Sequence, residues 1–162
     1  MAITSNDPRN PKLIPTHGVP EVVYGLLEAD SQSFKAGELV YLSSGAVTVY
    51  AGRDAPVFGI ALKDGTNVTS GNTEIPVALI RPDDMVLIQV EDGSGNLEAS
   101  NTTCVPGTAY DIIVSSNHHR IDSSDTTNPA FVFVGEVLDA TGAATYWGKF
   151  RPYYIENQVT SL

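Results

Sequence analysis

Two neighbouring stretches decide the fold class: Phe34–Tyr50, FKAGELVYLSSGAVTVY, and Ala55–Ile80, APVFGIALKDGTNVTSGNTEIPVALI. Leu39–Leu42, Val47–Tyr50, Val57–Leu62 and Ile75–Ile80 are short runs rich in β-branched and aromatic residues, which pack well on a pleated surface. Between them stand Ser43-Ser44-Gly45, Gly52-Arg53-Asp54 and Asp64-Gly65-Thr66-Asn67, residues that tolerate unusual φ or bond their own backbone and so turn the chain. Short strands separated by tight turns predict an all-β sandwich or barrel.

Downstream the same pattern continues. Met85–Val90 follows Pro82-Asp83-Asp84, and after Asp92-Gly93-Ser94-Gly95 come Ala109–Val114, Phe131–Leu138, Thr145–Phe150 and Tyr153–Ile155. No segment holds a helical period over ten residues; Glu21–Asp30, EVVYGLLEAD, fits either a short helix or a first strand. The polar connections Asn96–Gly107 and Ser115–Pro129 are expected on the surface. The two series of strands also look related: AGELVYL (36–42) can be laid on PGTAYDI (106–112), VFGIAL (57–62) on FVGEVL (133–138), and the Arg-Pro of 81–82 on that of 151–152. This points to an internal duplication, with chance similarity of short Gly- and Val-rich strands as the competing explanation.

Upstream, Pro8, Pro11, Pro15 and Pro20 remove backbone donors and disfavour helix, so residues 1–20 read as an extended arm and 21–162 as one β domain. Asp7, Arg9 and Lys12 give the arm a net charge of +1, unlike the body. Leu13 and Ile14 supply paired aliphatics that a solvent-exposed tail does not need, which suggests docking on a neighbouring subunit or another protein; a frayed terminus is the alternative.

Composition narrows the function. The 162-residue chain holds 19 Asp and Glu against 9 Lys and Arg, a formal charge of -10, which repels phosphate and argues against a nucleic-acid binder. No tract approaches the roughly 18 apolar residues of a membrane span, and the start MAITSNDPRNPK lacks the apolar stretch of a secretion signal, so a cytosolic origin is expected. Cys104, the one cysteine, cannot form an internal disulfide.

Candidates for chemistry are few. Asp83 and Asp84 could form an acid-base pair, but Pro-Asp-Asp between two strands is what a turn itself requires. His118 and His119 with Asp122 and Asp125 could gather a metal, yet consecutive side chains of an extended segment point to opposite sides. Motifs for phosphate, dinucleotide, zinc or a nucleophilic serine are absent from the sequence. No catalytic residue, metal ligand or cofactor is assigned. Trp147, Phe150, Tyr153 and Tyr154 crowd the C-terminal region with Tyr146, either as core, as interface anchors or as a stacking surface for sugar.

The succession FKAGELVYLSSGAVTVY, then APVFGIALKDG, then IPVALI resembles the capsid decoration, or cement, proteins of tailed bacteriophages, over Phe34–Ile80. The resemblance implies a small β-barrel or β-tulip-like domain, assembled as a homotrimer, without enzymatic activity. It further implies attachment to the outer surface of the mature virion after synthesis in the host cytoplasm, where such proteins bind the major capsid protein and bridge neighbouring capsomers. On that reading Arg9, Lys12, Leu13 and Ile14 form a capsid-binding arm, and Trp147, Phe150, Tyr153 and Tyr154 are candidates for the contact between subunits. Deletion of residues 1–20 would then leave a folded oligomer that decorates poorly. The alternative from another class is a carbohydrate-binding β module on a virion or cell surface that uses the aromatics as platforms. A third is a β-fold hydrolase built on Asp83 and Asp84.

Overall fold

Turn chemistry sets the strand boundaries. The computed structural model describes residues 9–51, 56–115 and 118–153. Its strands are β1 (Lys12–Ile14), β2 (Val22–Val23), β3 (Leu39–Ser43), β4 (Ala46–Val49), β5 (Gly59–Ala61), β6 (Val77–Leu79), β7 (Met85–Glu91), β8 (Ala109–Ser115), β9 (His118–Asp122), β10 (Phe131–Leu138) and β11 (Ala144–Pro152). A single helical turn, α1 (Ser100–Thr103), precedes β8. Between β3 and β4, Ser44 and Gly45 take φ of 50° and 81°, the left-handed pair that a two-residue hairpin turn demands.

The chain is nearly all β and forms two sheets, as the strand pattern predicts. One has the order β2-β6-β5-β3-β4, the other β1-β7-β11-β10-β8-β9. In the second, β7 also pairs in parallel with β9 through Val90↔Ile121 and Glu91↔Asp122, so its pairings lead round to the strand they started from. In the first, isolated bridges outside β2 and β6 add to the pairing: Glu28, downstream of β2, bridges in parallel to Val47 of β4, and Leu27 bridges Glu74, ahead of β6. The neighbours correspond strand for strand: β2-β6-β5-β3-β4 against β7-β11-β10-β8-β9.

Hydrogen bonds repeat as well. Gly37 N–H donates to the Ala61 carbonyl at 2.7 Å and Gly107 N–H to that of Phe133 at 2.9 Å, and both glycines have left-handed φ. Glu38 bonds Lys35 as Thr108 bonds Val105, and Ala61 bonds Glu38 as Phe133 bonds Thr108. These bonds uphold the alignment of Gly37 with Gly107 and correct that of Gly59 with Gly135: the place of Gly59 is taken by Phe131. Gly59 is needed locally, because a Cβ there would lie 2.2 Å from the Ala78 carbonyl oxygen, whereas at Gly135 it would meet nothing within 4 Å.

Alternation along the first sheet sends Leu39, Ile60 and Ala78 toward the second sheet and Val40, Ala61 and Val77 into a smaller core of their own with Phe34 and Ile75. The larger core receives Val86, Ile88, Val90, Phe131, Phe133 and Phe150 from the second sheet, with the Phe133 and Phe150 rings 5.3 Å apart.

Of the arm read from the sequence, residues 9–20 are described: Lys12–Ile14 form a strand that lies on the protein's own sheet, and residues 16–19 turn. β1 pairs with the start of β7 (Leu13↔Val86), Leu13 packs against the main core, and buried Asn10 accepts a hydrogen bond from His119 N–H of β9 at 3.3 Å. Residues 10–14 thus reach both β7 and β9, whose own pairing is confined to their other ends.

Two outcomes follow. Gly59→Ala should lower stability to urea by about 2–4 kcal/mol while Gly135→Ala changes it by less than about 0.5 kcal/mol. Removing residues 1–20 should unmask the edge of β7 and the core beneath Leu13 and lower the unfolding midpoint, in contrast to the folded truncation that the sequence alone suggests; Leu13→Ala in the full chain should lower it less than the deletion does. Thermal unfolding followed by circular dichroism distinguishes the cases.

Candidate binding surface

The acidic turn after β6 acts as a clasp. Asp84, buried, accepts hydrogen bonds from Arg81 N–H at 2.8 Å and Thr16 N–H at 2.9 Å. Thr16 Oγ1 donates to the Asp83 carbonyl, and His17 Nε2 lies 2.8 Å from the Asp83 carboxylate, a contact that holds the Asp83 carboxyl below its ordinary value. Both carboxylates are therefore engaged in closing the turn and fastening the end of the arm.

His118 and His119 are both buried, and among the described residues no group of three or more His, Cys, Asp or Glu side chains is arranged to hold a metal. His119 is a joint between the sheets. Leu39 N–H donates to its Nδ1 at 3.2 Å, so Nε2 carries the proton and donates to the Tyr50 carbonyl at 2.6 Å. Burial pushes its pKa down to about 4 against the opposing pull of the Tyr50 carbonyl.

Each parallel joint also holds a buried glutamate. Glu91 meets Arg120 at 3.0 Å. Glu28 accepts hydrogen bonds from the backbone and hydroxyl groups of Thr66 and Thr73; burial alone would raise its carboxyl, but these donors outweigh it and hold it below the ordinary value. Cys104 is buried, its thiol pushed up to about 11 mainly by that burial, which suits a packing role.

What faces outward is a different set. In the second sheet Leu13, Val86, Phe150, Phe131 and Phe133 point into the core, so the residues alternating with them form the opposite face. Registers Ile14↔Met85 and Val132↔Arg151, with Phe150↔Val86 between, lay Ile14, Met85, Arg151 and Val132 in a row across four strands. A shallow groove runs here, its lining including Pro82, Asp83, Met85, Val132, Val134 and Arg151. One step along the strands, Lys12 Nζ sits 4.7 Å from the centre of the Trp147 ring, beside exposed Lys149. Ile14 (45%), Val134 (38%) and Val105 (61%) are exposed.

The structure thus divides the residues singled out from sequence. Lys12 and Ile14 lie on this face, Leu13 points inward and Arg9 is exposed before the strand. Phe150 is a correction: it is fully buried and belongs to the core, so it cannot touch a partner. Trp147 is half-buried under Lys12, Tyr153 is half-buried with its N–H on the Ala130 carbonyl, and Tyr154 lies outside the described residues. Sequence reasoning missed Met85, Val132, Lys149 and Arg151 as members of one face; alternation within β7, β10 and β11 was a usable signal, but their adjacency was not. Among the described residues no helix is long and apolar enough to cross a membrane. No family model and no curated protein sequence matches the chain.

The joints predict an acid response. The folded pKa of His119 lies below its unfolded value of 6.5, so the unfolded chain binds the proton first and stability is complete above about pH 6.5. It should fall by about 3 kcal/mol as pH drops toward 4, and Glu28, also lowered, should add a further loss below its ordinary value of 4.5. Urea unfolding at a series of pH values should show this slope, and His119→Gln should flatten it between pH 6.5 and 4.

Proposed function

We propose that the chain is a non-enzymatic structural protein of a tailed-phage virion, which binds the outer surface of the mature capsid as a homotrimer and holds neighbouring capsomers together through the major capsid protein. The observation that carries this reading is the ordered pattern from Phe34 to Ile80, whose hairpin (β3 and β4), strand (β5), polar loop and strand (β6) follow one another in that order. The use of buried polar groups supports it: Glu28, Glu91, Arg120 and His119 are tied into joints between strands, an arrangement suited to rigidity.

The mechanism requires no chemistry. A protein that binds only the expanded lattice stabilises it by RT ln(1 + [L]/Kd), about 2.7 kcal/mol per site when free protein stands at a hundred times Kd. Repeated over a shell in which rupture starts at the weakest junction, that increment raises the force at every junction. Because residues 10–14 belong to the folded body, the arm contributes to binding by presenting Lys12 and Ile14 on the outer face.

Cosedimentation with undecorated expanded shells, read by electron cryomicroscopy, tests the reading. Saturable occupancy of symmetry-related lattice positions is expected; a folded protein that stays in the supernatant with shells of its own phage overturns it.

A further inference from the structure

We infer that the outer face of the β1-β7-β11-β10 layer docks a protein segment with an apolar centre flanked by carboxylates; resting on the function proposed above, that segment belongs to the major capsid protein.

The first ground is charge. The chain has nine Lys and Arg and a net charge of -10, yet Lys12, Lys149 and Arg151 are gathered on this one face, all exposed. Among the described residues neither Lys149 nor Arg151 forms an ion pair, although the chain carries 19 carboxylate side chains, whereas Lys35, Arg81 and Arg120 each do. Asp83, the acidic residue in the groove lining, is already held by His17.

The second ground is apolar surface at the same place. Met85, Val132 and Val134 line the groove with Arg151, and Ile14 stands beside Met85 across the β1-β7 pairing. An interface with an apolar centre and a charged rim is the common anatomy of protein partners. Nucleic acid fits poorly, because three cations on a strongly acidic molecule release few counterions and the remaining surface repels phosphate.

Rigidity is the third. Met85, Val132, Lys149 and Arg151 project from the paired strands β7, β10 and β11, with the core residues Val86, Phe133 and Phe150 beneath them, so little backbone entropy is lost on docking. Acidity elsewhere then has a directional effect. It repels an acidic partner from every approach but this one, so the field orients the encounter before contact.

The test compares wild type, Lys149→Glu/Arg151→Glu, and Lys63→Glu as an exposed control in the loop after β5, titrated onto purified expanded shells. All three should unfold at similar temperatures, since the altered side chains are exposed. Wild-type affinity should fall as salt rises from about 0.05 to 0.5 M. The double variant should bind about thirtyfold or more weakly, and Lys63→Glu within about twofold of wild type. A double variant that binds like wild type overturns the inference and leaves the proposed function standing. A double variant that loses self-association in sedimentation velocity but keeps shell binding also overturns it, assigning the face to contact between copies. Failure of wild type to bind shells overturns the proposed function and the inference together.

Discussion

Leu39, Ile60 and Ala78 point to one side of the first sheet and Val40, Ala61 and Val77 to the other, and both sets must be buried. That constraint governs the rest. A sheet apolar on both faces needs cover twice: the inner side is filled by its own edges and by Phe34 and Ile75, the other by the second sheet with Phe131, Phe133 and Phe150. The second sheet, apolar on this side, is left with an opposite face that water and partners can reach.

Bringing the sheets together creates a cost that polar residues offset. Backbone groups near the ends of β3, β4 and β9 lie where the sheets meet, and a buried amide or carbonyl without a partner is expensive. His119 supplies an acceptor to Leu39 and a donor to Tyr50, while Asn10 supplies an acceptor to the His119 amide. One side chain thereby links two sheets, and the arm is drawn into the body by the same accounting of donors and acceptors. The joint tolerates only the neutral imidazole, which makes the fold sensitive to acid through its own architecture.

The repeat of strand order makes the differences between the halves informative. At one parallel joint a glutamate is satisfied by two threonines, at the other by an arginine. β1 has no counterpart in the first sheet, and it is β1 that brings Lys12 and Ile14 to the outer face of the second. The asymmetry that adds a strand therefore also adds part of the candidate binding surface.

The positions of β3 to β8, β10 and β11, the hairpin at Ser44-Gly45, the Asp84 turn and the correspondence of Gly37 with Gly107 were legible in the sequence, because alternation, φ preference and side-chain-to-backbone bonding act over a few residues; the expected strand Tyr153–Ile155 lies almost wholly outside the described residues. The buried strand His118–Asp122 was not. HHRID reads as a surface loop, and it is buried because its partners, Asn10, Leu39, Tyr50 and Glu91, come from distant parts of the chain. The same holds for Phe150 and Trp147: adjacent aromatics look alike in sequence, and only the pairing of β11 with β7 and β10 sends one into the core and leaves the other beneath Lys12. Local pattern determines which residues can be strands and turns. Which edge each strand joins, and so which cations and aliphatics share a face, is decided by long-range burial and by the satisfaction of polar groups that no short window contains.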